Sequence, residues 1–381
     1  MERWRVIFHR IISCKFVCIF LILACLLLKS ISKNTNLIQP KSVPENSNLV
    51  QLKNKQLYQK DLNVSFSQLR NACLSGKGLL LDERRVYMST NRMQYNTMDE
   101  TVNVARVVQK YYNIVLVSVI NNAYLPFAYS WLCNTAEMDI HKSVLIITFD
   151  TTTRDNLITN WDKINVIALD IDDIPGGDQM YSRSGYVKIM IRRTHIMYSL
   201  LQADINLFLL EFDYVWFSNP LPELNGMSEI DILINPVSTT NETVSNGGLI
   251  IIYATERSKF LWKKLTEMMI DLGKRIKKIA DHTRVSGYEN DQVYFSKLVR
   301  KRYGNIRTRQ LPLDRYADGV WYMLNDSDRR NTKPVMISNN FIEGNMNKMK
   351  RAKLWKHWFL LANCTCDIQN VLKIQSGATN R

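Results

Sequence analysis

Short apolar runs, separated by polar stretches with helical spacing, recur through the middle of the chain. Each run is too short for a typical helix and is rich in residues that suit buried strands. The runs cover residues 114–120, 144–149, 164–169, 205–210 and 230–234, and a further run begins at Asn246. Strands that alternate with helices form parallel sheets covered on both faces, so the pattern predicts an α/β fold with a mostly parallel sheet.

Two carboxylates, Glu211 and Asp213, directly follow the run at residues 205–210. Side chains two positions apart project to the same side of an extended chain, and ligands of α/β sheets bind at the carboxyl ends of strands. At that place the pair can hold a hard divalent cation that clamps a pyrophosphate. The alternative is a pair of ordinary carboxylates, because acidic residues are common at strand ends.

Two turns between predicted elements offer backbone contacts to a ligand. Asn121, Asn122 and Ala123 connect the first run to a helix, and the amides of such a turn commonly receive a nucleotide; alternatively, Asn122 caps that helix. Gly247 and Gly248 permit close backbone approach to a ligand, although a plain turn also explains them. Because no G-x-G-x-x-G follows the first run, an NAD-type dinucleotide fold is not indicated.

Two predicted helices carry charged residues near these turns. The helix at residues 185–203 leads into the acidic run and carries Lys188, Arg192 and Arg193. Lys188 or Arg192 is the candidate to meet a phosphate, whereas a solvated helix face is expected for Arg193. Asp291 and Gln292 begin a later helix, where an acidic residue also favours the helix N-terminus electrostatically. Cations near the acidic run can meet phosphates, whereas the alternative for both helices is a purely structural role.

The first thirty residues predict a membrane anchor. Basic residues precede an unbroken apolar run at residues 16–28, and this asymmetry keeps the basic side in the cytosol. A cleaved signal peptide is the alternative. The polar stretch that follows predicts a flexible stem. We expect a type II membrane protein with a cytosolic tail at 1–15, an anchor at 16–29, a stem and lead-in at 30–101 and a lumenal domain at 102–381.

The cysteines agree with a lumenal location. Four of them, Cys73, Cys133, Cys364 and Cys366, lie beyond the apolar segment, and an even set in an oxidising compartment predicts two disulfides. Cys364 and Cys366 are expected to pair with Cys73 and Cys133, in either order. A zinc site is the alternative, but C-x-C without a second close Cys or His pair lacks the usual ligand spacing.

The net charge and the N-glycosylation sequons of the chain narrow the classes of partner that we expect. The net charge of +15 suits a polyanion, a membrane surface or a negatively charged small substrate. Nucleic acid is not expected, because it conflicts with the predicted anchor, the cysteines and the N-glycosylation sequons. The four sequons begin at Asn63, Asn241, Asn325 and Asn363.

The segment E-F-D-Y-V-W-F-S-N-P around the acidic pair resembles the core motif of the nucleotide-diphospho-sugar transferase domain, a group that includes plant xylosyl- and arabinosyltransferases. The family has Asp-x-Asp, then Val-Trp, then Pro, and Glu211 here replaces the first Asp. Near the C-terminus, I-S-N-N-F-I-E-G-N-M-N-K-M-K resembles the family's His-x-Asn, Gly and Lys motif, with Ser338 in place of His. The resemblance extends over residues 102–358.

The resemblance implies a Rossmann-like GT-A architecture and a set of site residues. It implies that Glu211, Asp213 and Ser338 meet a metal, Mn²⁺ or Mg²⁺, although serine is a poor substitute for histidine as a ligand. Asp213, Asp291 and Gln292 are the implied catalytic residues. Contacts to the UDP-sugar are implied for Asn121, Asn122, Ala123, Lys188, Asn246, Gly247, Gly248 and Lys350 or a neighbouring lysine.

The resemblance implies a glycosyltransferase of the Golgi or endoplasmic reticulum. The implied reaction moves a sugar from a nucleotide diphosphate donor, expected to be a UDP-sugar, to a hydroxyl of a glycan or glycoprotein, with a cation bridging Asp213 and the pyrophosphate. The family implies retention of anomeric configuration, whereas the sequence shows no obvious nucleophile. The alternative, favoured by Glu211 and Ser338, is a catalytically silent lumenal protein of the same fold that binds glycans or a partner.

Overall fold

The structure is a computed structural model that describes residues 66–74, 94–172, 174–224, 229–237 and 244–377. Its α-helices are α1 (Phe66–Leu74), α2 (Met98–Tyr112), α3 (Leu125–Thr135), α4 (Thr151–Asn160), α5 (Ser184–Gln202), α6 (Leu221–Leu224), α7 (Glu256–Ile276), α8 (Asp291–Arg300), α9 (Asp326–Arg330), α10 (Asn345–Leu354) and α11 (Ile368–Gln375). Its strands are β1 (Val115–Ile120), β2 (Val144–Thr148), β3 (Asn165–Ala168), β4 (Leu207–Leu210), β5 (Tyr214–Trp216), β6 (Ile232–Pro236), β7 (Ser245–Ile252), β8 (Thr308–Gln310), β9 (Tyr316–Ala317) and β10 (Met336–Ser338).

Seven strands form the larger sheet in the order β3-β2-β1-β4-β7-β6-β8. The pairs β3-β2, β2-β1, β1-β4 and β6-β8 are parallel, whereas β7 is antiparallel to β4 and β6. Helices α3, α4 and α5 connect β1 to β4 in successive β-α-β units, as the alternation of runs predicts. Strand β7 is antiparallel to its neighbours, unlike the strands of these units. A parallel pairing with β6 would need a long crossover connection, and residues 237–244 are too few for one.

Helices cover both faces of this sheet, and alternate strand residues enter two separate cores. In β1, Leu116 packs into the core that contains Trp131 of α3, whereas Val115 and Val117 pack into the core that contains residues of α5 and α7. Strands buried on both faces appear in a sequence as continuous apolar runs. The predicted mixed α/β fold with a mostly parallel sheet is therefore confirmed.

A smaller sheet of order β5-β10-β9 lies beside the acidic pair and is absent from the predicted elements. Strand β5 begins directly after Asp213 and pairs antiparallel with β10, where Tyr214 opposes Ser338. The backbone N–H of Asn339 donates to the carbonyl of Asp213 at 2.9 Å. This pairing brings the C-terminal motif next to the end of β4.

Two disulfides connect the N-terminal part of the described chain to its C-terminal part. Cys73 of α1 bonds to Cys364, and Cys133 of α3 bonds to Cys366. The prediction of two disulfides is confirmed, and their order is now fixed. Because Leu69 and Cys73 are buried in the core, α1 belongs to the folded structure even though it falls within the predicted stem and lead-in.

Several predictions concern residues outside the described part. These are the anchor at residues 16–29 and the sequons at Asn63 and Asn241, whereas the sequons at Asn325 and Asn363 are described and exposed. Among the helices that the structure describes, none combines the length and the apolar character needed to cross a membrane.

Candidate active site

A cavity of about 520 Å³ opens at the carboxyl ends of β1 and β4. Parallel strands end at the same edge of a sheet, and this edge is where α/β sheets bind ligands. The cavity is lined by residues from seven separate parts of the chain, which lie within 118–124, 178–193, 210–211, 237, 246–248, 291–292 and 340–348. Its charged lining residues include Arg193, Glu211, Asp291 and Lys348.

Arg193 of α5 holds two carboxylates at the cavity. Its Nη1 donates to Glu211 Oε1 at 2.9 Å, and its Nη2 donates to Asp291 Oδ2 at 2.5 Å. The Arg193 side chain is only 4% exposed. Burial lowers the pKa of Arg193, but Asp291 and Glu211 outweigh burial and raise it above its ordinary value. The expectation of a solvated face for Arg193 is therefore wrong, because α5 is packed between the sheet and α7.

Lys348 of α10 pairs with the second carboxylate of the acidic pair. Its Nζ donates to Asp213 Oδ2 at 2.6 Å and also lies 3.4 Å from the Tyr124 hydroxyl. Burial lowers the pKa of Lys348, but Asp213 and Glu211 raise it above its ordinary value, so the side chain stays protonated. Lys348 thus places a fixed positive charge in the cavity wall.

Each residue predicted to hold a metal interacts with another protein group instead. Glu211 is paired with Arg193, and Asp213 with Lys348, while the hydroxyl of Ser338 interacts with the phenol of Tyr214. Ser338 does not line the cavity, and Asp213 lines a separate space of about 10 Å³. Oδ1 of Asp213 is buried without a hydrogen-bond partner among the described residues. A divalent cation takes several oxygen ligands, so this one oxygen does not by itself make a cation site.

No group of three or more His, Cys, Asp or Glu side chains is arranged for metal binding within the described ranges. The donor set of this chain therefore does not fit the three-ligand cation site that the resemblance implies. Two protein cations, one guanidinium and one ammonium, already occupy the two carboxylates of the acidic pair.

Of the three residues predicted to contact the nucleotide in the turn after β1, only one lines the cavity. Asn121 lines the cavity, and its Nδ2 donates to the carbonyl of Gly177 at 2.8 Å, so it fixes a neighbouring loop. Asn122 and Ala123 do not line the cavity. Asn122 does not cap α3 either, because no side-chain cap bond is present there. Tyr124, which does line the cavity, was not among the predicted residues.

Strand β7 comes very close to Glu211, as its two glycines suggested. Asn246, Gly247 and Gly248 all line the cavity. A Cβ atom on Gly248 would lie 2.8 Å from Glu211 Oε2, which is closer than side chains allow. The N–H of Gly247 donates to Gln292 Oε1 at 3.0 Å, so Gln292 is held against β7 while it also lines the cavity.

Two predicted basic contacts lie elsewhere. The Nζ of Lys188 donates to Asp281 Oδ1 at 2.7 Å, and Lys188 is absent from the cavity lining. Lys350 is exposed and also absent from the lining, whereas Lys348 takes the place expected of it. One turn of helix spans 3.6 residues, so two lysines two positions apart point to nearly opposite sides of α10, and sequence alone did not choose between them.

Comparisons with known proteins identify the family of the chain. A family model for nucleotide-diphospho-sugar transferases matches residues 139–352. The chain is 23% identical over 265 residues to UDP-D-xylose:L-fucose alpha-1,3-D-xylosyltransferase 3 of Arabidopsis thaliana, over 65% of this chain and 66% of that protein, just under two thirds of its length. It is 23% identical over 266 residues to the MGP4 xylosyltransferase of the same plant, over 65% of this chain and 70% of that protein.

Solved structures also resemble the chain, at low scores. The glycosyltransferase GlyE of Streptococcus pneumoniae TIGR4 gives a TM-score of 0.40 at 10% identity, over 70% of this chain and 64% of that chain. Mouse xyloside xylosyltransferase 1 gives a TM-score of 0.38 at 11% identity, over 60% of this chain and 98% of that chain. The family model, by contrast, matches more than half of the 381 residues. The chain belongs to the nucleotide-diphospho-sugar transferase family.

Proposed function

We propose that the chain is a glycosyltransferase whose cavity binds a nucleotide diphospho-sugar and passes the sugar to a hydroxyl of a glycan or glycoprotein. Membership of the family supports the reaction class. The observation that carries the proposal is the Lys348 ammonium, which lies in the cavity at the carboxyl ends of β1 and β4. A protonated lysine at this edge of the sheet is suited to a diphosphate.

The proposed chemistry places negative charge where these cations lie. The bond between the anomeric carbon and the diphosphate breaks, a bond from the acceptor oxygen to that carbon forms, and the acceptor hydroxyl passes its proton to an oxygen of the departing diphosphate. Charge develops on the diphosphate as it departs, and Lys348 stabilises it with one of its three N–H groups while another keeps the bond to Asp213. Arg193 keeps Asp291 and Glu211 in fixed positions beside the sugar. Retention of anomeric configuration, implied by the resemblance, remains part of the proposal.

Mn²⁺ has no assigned step in this proposal. The two carboxylates expected to bind it are paired with Arg193 and Lys348, and Ser338 offers a neutral hydroxyl that faces Tyr214. We expect these protein cations to supply the positive charge, so that donor cleavage proceeds when free divalent ions are chelated.

The similar Arabidopsis proteins suggest which substrates to try first. Their names specify UDP-D-xylose as donor and L-fucose as acceptor, and we propose a UDP-pentose or UDP-hexose donor for this chain. We also propose a lumenal compartment of the secretory pathway, such as the Golgi, because two disulfides suit an oxidising environment. The membrane anchor at residues 16–29 stays a prediction from the sequence.

A donor-hydrolysis screen tests the proposed function. The purified protein is incubated with UDP-xylose, UDP-glucose, UDP-galactose and UDP-arabinose, each with Mn²⁺ and with EDTA, and free UDP is measured. We expect UDP release from at least one donor, with rates in EDTA and Mn²⁺ that agree within about threefold. Release that requires Mn²⁺ would contradict the role given to the protein cations, and no release from any donor would favour the silent binding protein. The anomer of a transferred sugar, observed by NMR, then tests retention.

A further inference from the structure

Three large apolar side chains are exposed on the lining of the cavity. Met180, Tyr181 and Phe341 are 39%, 41% and 44% exposed, and all three belong to its wall. The cavity also has charged lining residues, among them Glu211, Asp291 and Lys348. Exposed aromatic side chains in the wall of such a cavity are typical of ligand contact, because they lose unfavourable hydration only when a ligand covers them.

The three side chains lie on two loops that meet across the cavity. Asp178 Oδ2 accepts from the backbone N–H of Asn345 at 3.0 Å, which links the loop that carries Met180 and Tyr181 to the start of α10. Phe341 lies four residues before that point, in the connection from β10 to α10. We use the term aromatic rim for Tyr181 and Phe341.

Each rim residue has a feature that the fold alone does not require. The Tyr181 hydroxyl accepts from Asn290 Nδ2 at 2.9 Å, and Asn290 caps α8 immediately before Asp291 and Gln292. Phe341 has a backbone φ of 58°, in the left-handed region that bulky residues rarely adopt. A phenylalanine in this region is unfavourable to the fold, and such strain tends to occur at ligand-binding positions.

We propose that the aromatic rim binds a sugar ring of the acceptor glycan through its apolar face. The proposal rests on the glycosyltransferase function, and it assigns the donor to the charged inner part of the cavity and the acceptor to the rim. A sugar ring presents C–H groups on one face and hydroxyls at its edge, so it can cover Phe341 while an edge hydroxyl points inward toward the donor. Tyr181, fixed to α8, places this ring beside Asp291 and Gln292.

The test separates acceptor binding from donor binding. The first probes are UDP-xylose as donor and methyl α-L-fucoside as acceptor. If the protein does not transfer xylose between them, a panel of other UDP-sugars and neutral methyl glycosides replaces them. For Phe341→Ala we expect the KM for the glycoside to rise about tenfold, while the KM for the UDP-sugar changes less than threefold. Phe341→Tyr should stay close to wild type, because it keeps the ring.

Two further variants test whether a raised glycoside KM in Phe341→Ala comes from damage to the fold. Phe341→Gly removes the ring and suits a φ of 58°, so it should lower glycoside affinity like Phe341→Ala without lowering the unfolding midpoint. Tyr288→Ala removes an aromatic ring that is 81% exposed outside the cavity lining, and it should behave like wild type. A glycoside KM that is unchanged in Phe341→Ala overturns the proposal, even when donor hydrolysis continues.

Sugar binding by the aromatic rim can be tested even if the protein cleaves no donor. In that case the glycosyltransferase function fails, and glycoside binding is measured directly from the fluorescence of Phe341→Trp. A saturable change with a methyl glycoside, lost on Tyr181→Ala, supports the rim as a sugar-binding surface. No change with any glycoside of the panel overturns it.

Discussion

Arg193 joins three elements that are far apart in the sequence. Its guanidinium connects α5 to Glu211 at the end of β4 and to Asp291 at the start of α8. Loss of one partner from a buried ion pair destabilises a protein by about 3–5 kcal/mol, because the other charge is left uncompensated. Arg193 therefore supports the fold as well as the site. Lys348 does so too, because its partner Asp213 is 1% exposed, so variants at either position need a check of folding before ligand binding is compared.

The burial of Arg193 could not be predicted from the sequence of α5. Charged residues on a helix normally mark its solvated face, so the pattern of α5 indicated exposure. In the structure Ile189, Ile191 and Met197 are all buried, and α5 has the sheet on one side and α7 on another. Because α5 is covered on both sides, it buries charged positions as well as apolar ones. The sequence cannot reveal such burial, since it depends on carboxylates that come from distant parts of the chain.

A buried histidine predicts loss of stability in mild acid. His357 is 8% exposed and bonded to the Tyr322 hydroxyl at 2.9 Å, and burial lowers its pKa to about 3. Between the unfolded pKa of about 6.5 and this value, the unfolded chain binds a proton that the native chain does not, so stability falls as pH falls. At pH 5 the loss from His357 is about 2 kcal/mol. His141, with a pKa lowered to about 4 by burial, acts in the same direction.

Urea unfolding at pH 7 and pH 5 measures this effect. His357→Gln should reduce the loss of unfolding free energy between the two pH values by about 2 kcal/mol relative to wild type. His282→Gln is the control for the replacement of a histidine by glutamine, because the His282 side chain is exposed. Equal losses in wild type and His357→Gln would show that His357 is not the titrating group.

At the scale of elements, α1 depends on its disulfide. It has nine residues, fewer than an isolated helix needs in water, and Cys73 bonds it to Cys364 near α11. Replacing both cysteines by serine should lower the unfolding free energy by about 2–5 kcal/mol and expose α1 to proteases. Limited proteolysis with fragment mass spectrometry locates the cleavage.

The second disulfide supplies the matched comparison. Serine at Cys133 and Cys366 should also lower stability, but it leaves α1 attached, so cleavage within Phe66–Leu74 should stay slow. Rapid cleavage of α1 in this variant would show that the Cys73–Cys364 bond does not protect α1 by itself. Absence of cleavage in the Cys73 and Cys364 variant would show that core packing by Leu69 holds α1 without the bond.

Six of the seven strands of the larger sheet were predictable, whereas β8 and the smaller sheet were not. β1, β2, β3 and β4 fall within predicted apolar runs, and each departs from its run by at most two residues at either end. Their signal is strong because both faces are buried. β5, β9 and β10 have only two or three residues each, too few for a period to be recognised, and they form through pairing between distant segments.

At the scale of the whole molecule, the candidate site is assembled from parts that no single motif contains. Lys348 lies 135 residues from its partner Asp213, and Arg193 lies 98 residues from Asp291. The acidic pair and the Asn-Gly-Gly turn could be predicted because each is local in the sequence. The choice of Lys348 over Lys350, and the pairing that occupies the expected metal ligands, depend on how α10 docks against β4 and β5.

The binding of UDP to matched lysine variants tests the central claim most directly. Isothermal titration calorimetry compares wild type, Lys348→Met, Lys348→Arg and Lys350→Met, after unfolding midpoints confirm that all are folded. We expect Lys348→Met to weaken UDP binding by roughly ten- to a hundredfold through loss of a charged hydrogen bond, and Lys348→Arg to retain part of the affinity. Lys350→Met removes an exposed lysine outside the cavity and should bind UDP like wild type. Wild-type affinity in Lys348→Met, or equal loss in Lys350→Met, would contradict the assignment of this cavity to the nucleotide diphosphate.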